Sequence, residues 1–303
     1  MKIFRGFNEA GGIKNPVVTT GSFDGVHVGH KTILARLNML AEKYNGESVL
    51  ITFDPHPRKV LYPETAGKDL KLINSQEEKL ELLRKAGLDN VIIIEFTREF
   101  SKVTSEQFVR DYLHEKLRAK VVVVGFNHHF GFNKEGDYKH LWEWREKYNF
   151  EAEEIPEQEV QHEAVSSTRI RKAISEGYIQ RANAYLDHYY LIMGKPEKSE
   201  PAGSISFVKI PISEECKILP ATGIYAVSVE NDELKSKGMA VICQESGKRS
   251  EVHVNIFENE EKYLGKKSFI LFHKMIYGSV SLTDTQICQK LEFAKTQISE
   301  LIY

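Results

Sequence analysis

Four short stretches in the first half of the chain are apolar almost without interruption: PVVTT (16–20), SVLITF (48–53), VIIIEF (91–96) and KVVVVG (120–125). Runs that lack polar alternation suit strands buried on both faces of a parallel sheet. Helical periodicity fills the gaps between them. Ser75 and Glu78 have the spacing of a capping box opening SQEEKLELLRKAG, which Gly87 closes, and Thr104 with Gln107 opens a second helix in the same way. Further helices are expected from His30 to about Lys43, in the aromatic-rich YKHLWEWREKYN (138–149), and in VSSTRIRKAISEG, which opens on serines and closes on Gly177; FEAEEI (150–155) reads as another strand. Strands alternating with helices imply βαβ units and an α/β, doubly wound parallel sheet.

The pattern changes near residue 187. GKPEKSEPAGS (194–204) is a polar connector, and beyond it GIYAVSV, GMAVIC, SEVHVNIF and KSFILFHKMI are short β-prone runs separated by turn residues. These predict an antiparallel sheet or small β-barrel. A terminal helix over about 284–302 carries the apolar stripe Ile287, Leu291, Ala294, Ile298 and Leu301, which can cover one side of it. Two domains follow, 1–186 and 187–303.

Composition narrows the function classes. With 41 Lys and Arg against 43 Asp and Glu in 303 residues, the net charge of −2 supplies no global basic field for nucleic acid or an anionic membrane. No apolar run reaches the roughly 18 residues of a membrane span, and MKIFRGFNEAGG has no signal-peptide core. Cys216, Cys243 and Cys288 lack the paired spacing of a zinc site or disulfide framework. The expectation is a cytoplasmic protein, monomeric or weakly oligomeric, acting on small molecules, with no protein-held metal, nucleic-acid or membrane partner.

The densest chemistry sits in GSFDGVHVGHKTIL (21–34), at a junction between strand and helix. In an open α/β sheet, ligands gather beyond the carboxyl ends of strands, where helix N-termini present unpaired N–H groups. Gly25 and Gly29 let backbone approach a phosphate closely, and His27 and His30, three apart, can converge on it from one side. Solvated or structural histidines are the plain alternative. A zinc site would need a third ligand from His56, His128 or His129, for which no spacing argues.

His27-Val28-Gly29-His30 is the HxGH signature of the nucleotidyltransferase superfamily, and the longer GSFDGVHVGH resembles the bacterial FAD synthetases, typically bifunctional riboflavin kinase/FMN adenylyltransferases. FDPHP (53–57), VVGFNHHFG (123–131) and SSTRIR (166–171) follow in the family's order. The resemblance implies that the FMN phosphate attacks the α-phosphorus of ATP, releasing pyrophosphate and forming FAD, with Mg2+ carried mainly by ATP. It implies His27, His30 and Arg169 as catalytic residues, and Gly21, Phe23, Gly25, Gly29, Ser166, Ser167, Thr168 and Arg171 around the ATP phosphates. Phe53, Pro55, His56, Pro57 and Asn127 would line the flavin, and Asp24 would hold the loop. His128 stands where the family usually has Phe. In the second half, GSISFVKIPIS (203–213) replaces the family's GFPTAN stretch, whose Thr and Asn serve metal and phosphates, while Glu251 matches the kinase base position. A weak or absent riboflavin kinase is therefore expected. Another HxGH nucleotidyltransferase and a non-catalytic flavin- or nucleotide-sensing protein are the alternatives.

Overall fold

The computed structural model describes residues 1–160, 163–199, 205–244, 250–278 and 287–301. Its contacts divide the chain into two compact units, Met1–Leu70 with Lys79–Val165, and Lys71–Glu78 with Ser166–Tyr303.

The first unit contains β1 (Lys2–Arg5), β2 (Val17–Thr20), α1 (Val28–Lys43), β3 (Ser48–Asp54), α2 (Pro57–Leu61), most of α3 (Gln76–Lys85), β4 (Asn90–Glu95), α4 (Ser105–Gln107, continued by the wider turns of Phe108–Lys116), β5 (Val121–Gly125), α5 (Tyr138–Trp144), β6 (Glu151–Ile155) and a small hairpin, β7 (Glu159–Val160) with β8 (Glu163–Ala164). Six strands form one parallel sheet in the order β1-β4-β3-β2-β5-β6. Its apolar runs are buried on both faces, as their lack of alternation predicts. Val17, Leu50, Val91, Ile93, Val121 and Val123 pack with Leu34, Leu37 and Leu40 of α1 and with Leu83 and Leu88. Their neighbours along the strands, Val18, Val49, Ile51, Ile92, Ile94, Val122 and Val124, pack with Phe108, Val109, Leu113 and Leu141. Helices cover both faces, so the sheet is doubly wound, and each fully buried aliphatic side chain contributes on the order of 1.5–3 kcal/mol. The chain builds β2, β3 and β4 outward in one direction and then places β5 on the opposite side of β2. That reversal makes the carboxyl ends of β2 and β5 the sheet's switch point, where open α/β sheets bind ligands.

The second unit carries α6 (Ser167–Ser175) and α7 (Ile179–Leu186), then β9 (Tyr190–Gly194), β10 (Glu197–Lys198), β11 (Val208–Lys209), β12 (Gly223–Glu230), β13 (Lys235–Cys243), β14 (Glu251–Ile256), β15 (Ser268–Gly278) and α8 (Ile287–Glu300). The strands make a seven-stranded antiparallel sheet, β10-β11-β14-β13-β12-β15-β9. It is a curled half-barrel. Ile287, Leu291, Ala294 and Ile298 of α8 cover Ile224, Ala226, Met239 and Val241, with Leu301 packed alongside, so the stripe read from the sequence does what its spacing predicts. Residues 284–286 and 302 of the expected helix, and 200–204 of the expected connector, lie outside the described residues. Within this unit Lys217 and Glu78 form an ion pair at 2.7 Å with both side chains almost completely buried. Lys217 also donates to the carbonyls of Ile73 and Leu191, and Glu78 accepts from Met193 N–H. Those extra bonds satisfy the pair, as burial of two charges requires.

Both expected capping boxes form: Glu78 N–H donates to Ser75 Oγ while its carboxylate accepts from Ser75 N–H, and Thr104 and Gln107 reciprocate in the same way. The structure differs from the sequence expectation at the start of α1, which begins at Val28 rather than His30, and it adds β1, α2 and α7.

Candidate active site

At the end of β2 the Gly21 N–H still bonds to the Ile51 carbonyl, and the chain then turns sharply through residues 22–26. Phe23, Gly25 and Val26 have left-handed φ values of 49°, 94° and 41°. Glycine adopts this conformation without penalty, but a β-branched valine there stores strain on the order of 1–3 kcal/mol. Burial of Phe23 and Val26 among the side chains of α1 and the sheet holds the turn in place. Because α1 starts at Val28, His27 is its N-cap residue and His30 lies in its first turn. The His27 side chain makes no cap hydrogen bond. Instead the imidazole stacks on His30, with centroids 3.7 Å apart and planes 19° from parallel, and Phe23 also stacks on His30 at 4.4 Å. A Cβ at Gly29 would sit 3.4 Å from the His27 ring, so the glycine leaves that face open.

Burial and nearby charge set the protonation of His30. Desolvation, then repulsion from His27 and from Lys79, holds the His30 imidazole well below the ordinary histidine range. It is neutral at physiological pH and can donate one N–H. His30 Nδ1 is buried with no hydrogen-bond partner. Lys79 is itself buried, its Nζ 3.2 Å from Thr52 Oγ1 and 3.4 Å from the Ser22 carbonyl. Sequence reading missed Lys79, because a lysine inside a capping-box helix reads as solvated.

FDPHP ends β3. Phe53 packs against Phe96 and Phe100 at 5.4 and 6.1 Å, the Asp54–Pro55 bond is cis, and Pro57 opens α2. The His56 ring is occupied locally, its Nδ1 accepting from Arg58 N–H at 3.1 Å as the cap of α2. After β5, Asn127 is exposed with a left-handed φ of 57°, in a turn closed by His128 N–H on the Gly125 carbonyl. His128 stacks on Phe130 at 6.1 Å, and desolvation with repulsion from His129 pulls its pKa down to about 4. Neither His56, His128 nor His129 joins His27 and His30 in a convergent ligand set among the described residues.

Ser166 to Arg171 and Glu251 belong to the second unit. Ser166 caps α6, its Oγ accepting from Arg169 N–H at 3.4 Å. Ser167 and Thr168 occupy the first turn, Ile170, Ala173 and Ile174 turn inward, Thr168 and Arg169 are exposed, and Arg171 is half-buried. A hydroxyl-rich first turn with its N–H groups outward suits an anion. Glu251 is engaged on both oxygens: Oε1 with Lys209 Nζ at 2.6 Å, Oε2 with His253 Nε2 at 3.1 Å. These two bonds hold its carboxyl below the usual range.

Residues 12–169, about half of the chain, match the family model described as FAD synthetase. The chain belongs to the FAD synthetase family. Among curated relatives, a bifunctional riboflavin kinase/FMN adenylyltransferase from Listeria monocytogenes is 32% identical over 87% of this chain and 81% of its own. Proteins of the same name from Escherichia coli K12 (30% identical, 76% and 73% covered) and from Buchnera aphidicola of Acyrthosiphon pisum (27%, 99% and 96%) are also similar. The fold alone is shared with a solved structure titled as a macrolide-efflux protein from Streptococcus pneumoniae, at a TM-score of 0.87, 24% identity and 99% coverage of both chains. The FAD synthetase match takes in His27, His30, the FDPHP turn, Asn127 and Ser166 to Arg169, and ends before Arg171 and Glu251.

Proposed function

We propose that this enzyme transfers AMP from ATP to FMN, releasing pyrophosphate and forming FAD. The stacked His27–His30 pair at the start of α1 and at the sheet's switch point, with His30 held neutral, carries the reading. An oxygen of the FMN phosphate attacks the α-phosphorus of ATP, the bond to the β-phosphate oxygen breaks, and pyrophosphate leaves with that electron pair. Such a transfer asks chiefly for positioning and for charge stabilisation on the equatorial oxygens. His27 and His30 donate to those oxygens, Gly25 and Gly29 admit the phosphates close to backbone, and Lys79 adds a fixed positive charge behind the loop. Gly21 and Phe23 shape that loop. Ser166, Ser167, Thr168 and Arg169 hold the β- and γ-phosphates and Arg171 supports them, while Phe53, Pro55, His56, Pro57 and Asn127 wall the flavin.

Mg2+ enters as part of the substrate MgATP. The loop at 21–30 offers one carboxylate, the buried Asp24, beside two imidazoles, fewer oxygen donors than a hard cation held by protein alone takes. The functional division at 186/187 assigns α6 and α7 to this half-reaction.

We infer further that riboflavin phosphorylation is weak or absent. The stretch 205–213 offers Lys209 and Pro211 where a hydroxyl and an amide oxygen would be needed, and Glu251 is tied to Lys209 and His253. A carboxylate held this low is a poorer proton acceptor. The working environment we assign is the cytoplasm, with a monomer or weak oligomer and no nucleic-acid or membrane partner; among the described residues no helix is long and apolar enough to cross a membrane. The test is turnover with MgATP and FMN, products resolved by chromatography, alongside nicotinamide mononucleotide, phosphopantetheine, and phosphocholine with CTP. FAD and pyrophosphate in equal amounts are expected. Stoichiometric turnover of one of the other acceptors with no FAD would move the enzyme to another HxGH chemistry.

A further inference from the structure

The second unit contains a cluster that the adenylyl-transfer reading does not use. Cys243 ends β13 and pairs in register with Glu251 at the start of β14. His253, two residues along β14, projects to the same side of the sheet as Glu251 because side chains alternate along a strand. The Cys243 thiol, a Glu251 carboxylate oxygen and a His253 ring nitrogen all lie within 4.8 Å of one another. No other trio of His, Cys, Asp and Glu among the described residues converges in this way. Three residues, with seven positions between the first two and one between the last two, are brought together by strand pairing, which is why residue spacing alone did not expose them.

We propose that Cys243, Glu251 and His253 form a Zn2+ site with three protein ligands and a fourth position open to solvent. Ligand chemistry selects the ion. A thiolate with an imidazole and one carboxylate suits Zn2+ and disfavours Mg2+ and Ca2+, which take oxygen donors almost exclusively. Tetrahedral zinc bonds of about 2.0–2.3 Å place ligand atoms about 3.3–3.8 Å apart, so the trio needs only a small side-chain closure. The flanking groups fit. Lys209 holds Glu251 Oε1, and Oε2 and His253 Nε2, 3.1 Å apart, would give up their hydrogen bond and turn both lone pairs to the ion. Ser199 Oγ lies 3.3 Å from His253 Nδ1, so that nitrogen can donate to the hydroxyl while Nε2 binds metal, the arrangement that orients histidine ligands in zinc sites. Cys243 is buried and outside any disulfide, and Glu251 is exposed, which gives one shielded ligand and an accessible fourth position. Binding exchanges the thiol proton for the metal.

The experiment uses the full chain stripped of metal by chelation and titrated with Co2+ as a spectroscopic probe and with Zn2+ in competition with a chromophoric chelator. One equivalent is expected, with a thiolate-to-cobalt charge-transfer band that Cys243→Ser abolishes. His253→Gln and Glu251→Gln are each expected to weaken Zn2+ binding on the order of 10- to 100-fold. Cys216→Ser and Cys288→Ser should leave both readouts unchanged. Circular dichroism of each variant checks the fold; Glu251→Gln, at an exposed position, keeps the test valid should Cys243→Ser unfold. No charge-transfer band in the wild type, a band that survives Cys243→Ser, or unchanged affinity in both His253→Gln and Glu251→Gln would overturn the site.

Discussion

The loop at 21–30 and the patch around Glu251 are both compact polar clusters beside strand ends, yet their charges are arranged in opposite ways. In the loop, groups of one electrical character crowd together: His27 lies on His30, and Lys79 rests against a carbonyl and a hydroxyl. Burial first, and then repulsion from His27 and Lys79, keeps His30 neutral. Around Glu251 the opposite charge of Lys209 cancels that of the carboxylate, which His253 also bonds. The proposed function rests on this difference, because a residue's neighbours decide whether it can accept a proton or bind an anion.

The largest expected effect tests charge cancellation where it is fully buried. Lys217→Met strands Glu78 without its partner and should lower stability by about 3–5 kcal/mol, read as a fall in the urea midpoint. Lys209→Met, which breaks an exposed pair, should cost less than about 1 kcal/mol. Equal losses would erase the distinction between the two kinds of pair.

Next in size is the loop at 21–30. His27→Ala and His30→Ala should each reduce FAD formation by about 10²- to 10³-fold with the fold retained, the typical cost of removing one preorganised donor. NMR titration should place His30 below the ordinary histidine range, and Lys79→Met should raise it. Near-normal turnover in both alanine variants would break the comparison outright.

A pH effect follows from His273, which is buried beside Ser228 and held down to about 4 by desolvation and by repulsion from Lys235, partly offset by Glu230. Its folded-state value lies below its unfolded value, so between about pH 6.5 and 4 the unfolded chain binds the extra proton and stability falls as pH falls. At pH 4 the loss is about 3 kcal/mol. His273→Gln should flatten this acid limb of a denaturation series; an unchanged limb would show that other groups dominate it. A smaller effect is expected at Ser166→Ala, which removes the cap of α6 and should cost about 1 kcal/mol in thermal or urea unfolding.

Much of this was legible in the sequence because the signals were local. The uninterrupted VVVV and VIII runs suit doubly buried strands and form them, and the Ser75–Glu78 and Thr104–Gln107 spacings specified helix starts that form as read. The start of α1 was not, since Val28 and Gly29 are poor helix formers and only the turn before them fixes the first helical residue. The four-residue β1 carries too little pattern to stand out, and it exists because β4 offers it a parallel edge. The hidden parts of the sites are those made by tertiary pairing. Lys79 is buried against the loop from a distant helix, Lys209 reaches Glu251 across a strand pair, and Cys243 meets His253 through register.

The most direct test of the central contrast is a pair of initial rates on one sample of the wild-type enzyme with MgATP, FMN to FAD and riboflavin to FMN. The account predicts ready FAD formation and little or no FMN formation. A riboflavin kinase rate comparable with the adenylyl-transfer rate, and abolished by Glu251→Gln, would contradict it.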